Sequence, residues 1–199
     1  MSDGWHSDEA NSLGLDPGEL QVKVIRSPRR RRTLQARLRH GRIEVRVPAD
    51  LDPAEEKRQV AELADRVRRQ LAATEIDLTG RANALADQFD LPQPSRIEWS
   101  DRMEQRWGSC SIHTGHVRIS SRLSQLPEWV VDYVIVHELA HLIEAGHGAD
   151  FDLLVQRLPR AERARGYLQA ISDLDARGLI GHPERREPPD PGVGEPGSR

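Results

Sequence analysis

The sequence predicts an α+β fold, with antiparallel β-hairpins toward the N-terminus and a helical part toward the C-terminus. Three observations carry this expectation. Apolar and polar side chains alternate with a period of two over 20–25, 33–38 and 42–48, and further strand-like segments follow at 96–100, 107–112 and 116–120. Between 53 and 73, apolar residues recur at helical spacing instead. After residue 127 the signals are helical: one helix starts at Pro127 and Glu128, and two more follow at about 149–157 and 160–174.

Each element has a local reason. His40-Gly41 makes a tight turn between "TLQARL" and "RIEVRVP", so the first three strands read as a hairpin or meander. Asp52, Pro53 and Glu55 supply an N-cap, a first-turn proline and a first-turn carboxylate. Val60, Leu63, Val67 and Leu71 then form one apolar stripe. A shorter helix is expected over 80–90 with Leu85 and Phe89 inward, and Thr114-Gly115 turns the last two strands into a hairpin. Gly146 is the residue expected to end the helix begun at 128. Residues 1–19 are polar and acidic, and 182–199 are rich in proline, glycine and charge. Both are expected to be disordered, leaving 20–176 as the folded domain.

The chain has 199 residues, 37% hydrophobic and 31% charged, with a net charge of −3. That describes a globular protein with no global attraction to nucleic acid. The charge is uneven: residues 1–20 hold five acidic groups and no Lys or Arg, while 21–46 hold ten basic residues against Glu44 alone. Cys110 is the only cysteine, which excludes an intramolecular disulfide and fits a reducing compartment. With no signal-like start and no membrane-length apolar run, the expected location is cytoplasmic, away from membranes.

The stretch "DYVIVHELAHLIEAGHGADF", 132–151, holds the chemistry. His137-Glu138-Leu139-Ala140-His141 is an H-E-x-x-H pattern. On a helix, positions four apart differ by about 40° of azimuth and about 6 Å of rise, so His137 and His141 can share one ion. Glu138 projects about 100° from His137, where a base can reach water held beside that ion. Zinc suits imidazole ligands and in catalytic sites leaves one position open. For the third ligand, Glu144 lies in line with His141, and three ligands in a row cannot surround a metal. His147 follows the expected helix end, and a left-handed cap at Gly146 would swing it back toward the ion, so geometry favours His147. Glu144 is then a solvated or supporting carboxylate, with the ligand role as its other reading.

"RWGSCS" at 106–111, followed by a strand and "LSQLPEWVVDYVIVHELAHLIEAGHGADF" at 123–151, resembles the YgjP-like metallopeptidase-domain family, a small zincin group related to the M48 peptidases. The resemblance spans about 20–176. It implies a zincin-like metallopeptidase domain with one zinc ion held by His137, His141 and His147, and Glu138 as catalytic base. Two departures stand out: Gly146-His147-Gly148 where the family has Asn-His-Ser, and Phe151-Asp152 where it has Phe-Trp. The second bears on substrate preference at Asp152. Metzincins share the third-histidine spacing, but their glycine is Glu144 here.

Other residues carry two readings each. Trp107 opens a segment that either borders the cleft, its edge pairing with extended substrate, or is an internal strand with a packed tryptophan. Tyr133, one turn before His137, either stabilises an oxyanion or anchors the helix in the core. Cys110 reads as a small buried thiol in preference to a zinc ligand. His113 and His116 read as surface residues. The Arg29–Arg32 run reads as a solvated loop, because no aromatic residues interleave to stack on bases.

The expected function is a zinc-dependent hydrolase, foremost a metallopeptidase acting on a peptide or protein. Glu138 takes a proton from activated water and passes it to the leaving amine. Beside it stand hydrolysis of a nucleotide phosphoanhydride, with the arginine loop on the phosphates, and a nucleic-acid-binding or scaffold protein with structural zinc. Oligomeric state is not written in the pattern.

Overall fold

The computed structural model describes residues 20–29, 32–103 and 105–179. The segments 1–19 and 182–199, and Arg30 and Arg31 of the basic run, lie outside the described residues. In chain order the elements are β1 (Val22–Ser27), β2 (Gln35–Arg39), β3 (Arg42–Pro48), α1 (Pro53–Thr74), α2 (Leu78–Phe89), β4 (Arg96–Ser100), β5 (Gly108–Ser111), β6 (His116–Ser120), a 3-10 turn (Ser121–Gln125), α3 (Glu128–Ala140), α4 (Ala149–Val155) and α5 (Ala161–Ala176). The class is α+β.

Two three-stranded sheets share one pattern. Their orders are β1-β3-β2 and β4-β6-β5; in each the first strand runs parallel to the third and the second pairs antiparallel with it. The hairpin or meander expected over 20–48 is therefore half corrected. β2 and β3 form the hairpin, but β1 crosses over to lie parallel on the far side of β3. The cause is burial: β3 offers Ile43, Val45 and Val47, all fully enclosed, and so takes the centre, while Val22 and Val24 of β1 stay exposed. His40 and Gly41 both have positive φ, 49° and 69°, the backbone a two-residue hairpin turn requires.

α1 covers the first sheet. Its N-terminus is capped as its sequence implies, Asp52 Oδ1 accepting from the Ala54 and Glu55 amides at 3.0 and 3.1 Å. Ala64, Val67 and Leu71 pack on Ile43, Val45 and Val47 to make a small core. A larger core joins the second sheet to α2, α3, α4 and α5. Polar ties link the two: Ser124 Oγ donates to the Arg69 carbonyl at 3.0 Å, and Asp101 accepts from both Gln70 of α1 and Ser121.

α3 lies at the middle of the larger core and is buried on every side, with Val130, Val131, Val134, Ile135, Val136 and Leu139 all enclosed. Arg81 of α2 clamps its first turn, donating to Asp132 through Nε and through Nη2 (3.1 Å), and to Glu128 at 3.3 Å. These bonds raise the Arg81 pKa, the Asp132 bond most. No helix among the described residues is long and apolar enough to cross a membrane.

The end of α3 departs from expectation. The helix stops at Ala140 with His141 as its C-cap, and Gly146 is not left-handed: positive φ among the described glycines occurs only at 41, 115 and 178. Instead Leu142 and Ile143 tighten onto Leu139 and Ala140 through i→i+3 bonds of 3.0 Å each. The enclosing core ends there, since Ile143 is already 54% exposed. An apolar helix has no packing reason to continue into solvent.

Arg81→Ala should lower stability by about 1–2 kcal/mol, the worth of charge-assisted bonds at a half-buried site. Urea unfolding of the variant, beside Asp132→Ala and the double variant, reads that coupling.

Candidate metal centre

α3 delivers His137 and His141 from adjoining turns, and the loop between α3 and α4 delivers His147. One ligand-type atom from each lies within 4.8 Å of the others. His137 Nε2 and His147 Nε2 are 3.2 Å apart, close to the edge of a tetrahedron whose metal–nitrogen bonds are about 2.0–2.1 Å. The ring centroids are 5.0, 5.1 and 4.7 Å apart for the pairs 137–141, 137–147 and 141–147. Three lone-pair donors converging this closely repel one another unless a proton or a cation lies between them. Burial first, then the neighbouring imidazoles, pushes His137 down to about 4, and burial likewise lowers His141. Both imidazoles are therefore neutral at physiological pH, the form in which a ring nitrogen can donate a lone pair. The donor set fits a single divalent cation that favours imidazole.

The ring orientations are held from behind. The Glu144 carbonyl lies 3.0 Å from His141 Nδ1, which fixes the tautomer that frees Nε2. The Glu144 carboxylate stays outside the imidazole group and accepts from the Gly146 amide at 3.3 Å. So residue 144 contributes through its backbone, and its side chain ties the loop instead. Phe151, at the start of α4 and 2% exposed, touches all three rings: it stacks on His141 at 4.5 Å and meets His137 and His147 edge-on at 4.8 and 4.7 Å.

Glu138 is 5% exposed, and burial raises its carboxyl to about 7 against the pull of the Arg106 charge. It faces β5 across a gap that only glycine permits. A Cβ at Gly108 would fall 2.5 Å from Glu138 Oε1 and 2.7 Å from its Cγ. The sequence left the segment opened by Trp107 either at the cleft border or as an internal strand, and neither reading included this contact, which joins residues 30 positions apart. The glycine within the motif was the available signal.

These side chains open on a cavity of about 550 Å³. β5, the outer strand of its sheet, forms one wall with Gly108, Ser109 and Cys110. Trp107 forms a corner: its Nε1 donates to Ser172 Oγ of α5 at 3.2 Å, and Arg122 covers its ring at 4.3 Å. Tyr133 lines the cavity too, its ring 5.9 Å from that of His137, and burial raises its hydroxyl pKa. Asp152 is exposed on α4 and does not line the cavity. Cys110 is half-buried at the wall and outside the imidazole group. His113 is exposed, whereas His116 is half-buried with Nε2 3.1 Å from Glu98, away from the centre. Arg106 and Arg165, which the sequence reading passed over, also line the cavity.

Comparison with known proteins places this site in context. Residues 73–170 match the family model described as YgjP-like, metallopeptidase domain, a narrower span than the 20–176 suggested by resemblance. Two solved structures are similar over about half the chain. The metallopeptidase zymogen of Pyrococcus abyssi abylysin is 21% identical with a TM-score of 0.42, covering 47% of this chain and 90% of that one. The metallopeptidase zymogen of Methanocaldococcus jannaschii jannalysin is 23% identical with a TM-score of 0.41, covering 50% and 98%. No curated protein gives a significant match.

The cavity wall can be probed through its one thiol. Burial, then the Glu138 charge, pushes Cys110 up to about 11, so little thiolate exists at pH 8. Alkylation of the metal-free protein should run on the order of 100-fold slower than that of an unperturbed thiol. Mass spectrometry measures this, and unfolding in urea should restore the ordinary rate.

Proposed function

Starting from a chain whose residues 73–170 belong to the YgjP-like metallopeptidase-domain family, we propose a zinc-dependent peptidase in which His137, His141 and His147 hold the ion and Glu138 is the general base. The family match supports a metallopeptidase-type hydrolase with a metal ion. The zinc, the peptide substrate and the residue roles are the proposal. One observation carries it: three imidazole nitrogens converge within 4.8 Å in a cavity that also exposes a buried carboxylate. Bound zinc supplies a Lewis acid and brings water's pKa toward neutrality.

The chain's own residues do the rest. Glu138, desolvated and with its carboxyl near 7, is poised to accept a proton at its carboxylate and return it to a leaving amine. The outer edge of β5 offers backbone groups along which an extended peptide can lie as a further strand. Gly108 leaves the room Glu138 needs beside that strand. Tyr133 stands on the cavity wall where an oxyanion stabiliser is useful, while also anchoring α3.

The nucleotide reading finds less support. Arg26, at the start of the basic run, is bonded to Glu56 of α1 at 2.6 and 2.9 Å, and neither Arg29 nor Arg32 lines the cavity. A nucleic-acid or scaffold role with structural zinc gives no reason for a desolvated carboxylate beside the ion.

Glu138→Gln should keep one zinc per chain and lower peptide hydrolysis by about 10²–10⁴-fold. Gly108→Ala should also keep zinc and cost about 10²-fold by displacing the carboxylate. Full turnover in both, measured with metal analysis on the same samples, would remove Glu138 from the mechanism. His147→Ala should weaken zinc binding by about 100-fold in competition with a chelator, and Glu144→Ala far less. The opposite ranking would make Glu144 the third ligand.

A further inference from the structure

The cavity holds two cations that the proposed chemistry does not use. Arg106 lies just before β5, and Arg165 lies on α5. Arg165, Leu168, Gln169 and Ser172 all line the cavity, and their 0, 3, 4, 7 spacing is one face of a helix. The face of α5 that fronts the cavity thus carries a guanidinium.

Neither arginine is held in a tight ion pair, although the Arg106 charge reaches Glu138 across the cavity. Arg106 makes no ion pair among the described residues. Arg165 meets Glu162 only at 3.9 Å, with the two side chains 64% and 76% exposed, a contact that water and salt screen readily. Glu138, the sole carboxylate in the lining among the described residues, is buried. The other walls are apolar or neutral, among them Val134, Ile112 and Leu168. A basic substrate side chain entering here meets like charge, whereas a carboxylate finds planar forks suited to two-point binding.

We propose that the site selects peptides carrying a carboxylate next to the scissile bond, received by Arg165 and Arg106. The inference rests on the peptidase reading above. The carboxylate has two sources, an Asp or Glu side chain or the substrate's own C-terminus, and the test separates them.

Zinc-loaded full-length protein is assayed with quenched fluorescent peptides that differ only in Glu, Gln or Lys at each position flanking the cleaved bond. A second set compares free-acid with amidated C-termini. The expected result is a kcat/KM about tenfold higher for one of the carboxylate forms over its neutral counterpart, shrinking as salt is raised. In Arg165→Gln and Arg106→Gln that ratio should fall toward one, Arg165→Lys should keep part of it, and Arg165→Glu should turn the preference toward Lys. Zinc content and circular dichroism report that each variant is folded. Equal cleavage of charged and neutral peptides by the unmodified protein overturns this inference and leaves the peptidase reading standing. A carboxylate preference unchanged in all four variants overturns the assignment to these arginines. If the zinc-loaded protein cleaves no peptide, the peptidase reading itself falls and takes this inference with it.

Discussion

A helix that is apolar on every face must be enclosed, and α3 is enclosed by the second sheet, α2, α4 and α5. The enclosure draws Glu138 and most of His137 out of water along with the valines. Desolvation favours the neutral form of each, lifting Glu138 to about 7 and lowering His137 to about 4. Burying a carboxylate among imidazoles costs stability, which is the physical ground for the general-base role proposed for Glu138. The surrounding elements then follow a consistent logic. Gly108 clears space for the carboxylate, Arg81 fixes the start of the helix, and β5 passes beside Glu138.

The second constraint is directional. Two ligands on one helix approach an ion from one side, and a third must come from elsewhere. Here the loop after α3 brings a third imidazole, His147, to the pair without a left-handed glycine. Its Glu144 carbonyl steadies His141, its Glu144 carboxylate holds the Gly146 amide, and Phe151 at the start of α4 backs all three rings. One aromatic ring in contact with each imidazole ties the three ring positions to α4.

Some of this was legible in the chain itself. The strands, the Asp52 cap and the pairing of His137 with His141 depend on local periodicity, which survives in one dimension. The parallel placement of β1 was not legible, because it depends on which strand's side chains both find cover. The helix end was misplaced at Gly146 because a glycine is a local signal, whereas the true stop reflects where the core ceases at Ile143. Phe151, Gly108 and the two cavity arginines were missed for a related reason. Each matters through a neighbour distant in sequence.

The sequence by itself determined the kind of chemistry: imidazoles four residues apart with a carboxylate between them need only helical geometry to face one ion. The tertiary structure decided how that chemistry is used. Burial of α3 sets the protonation of Glu138, the approach of Gly108 sets its position, and α5 brings Arg165 to the same cavity as Arg106. Desolvation and close approach are properties of packing between distant segments, and no spacing along the chain encodes them.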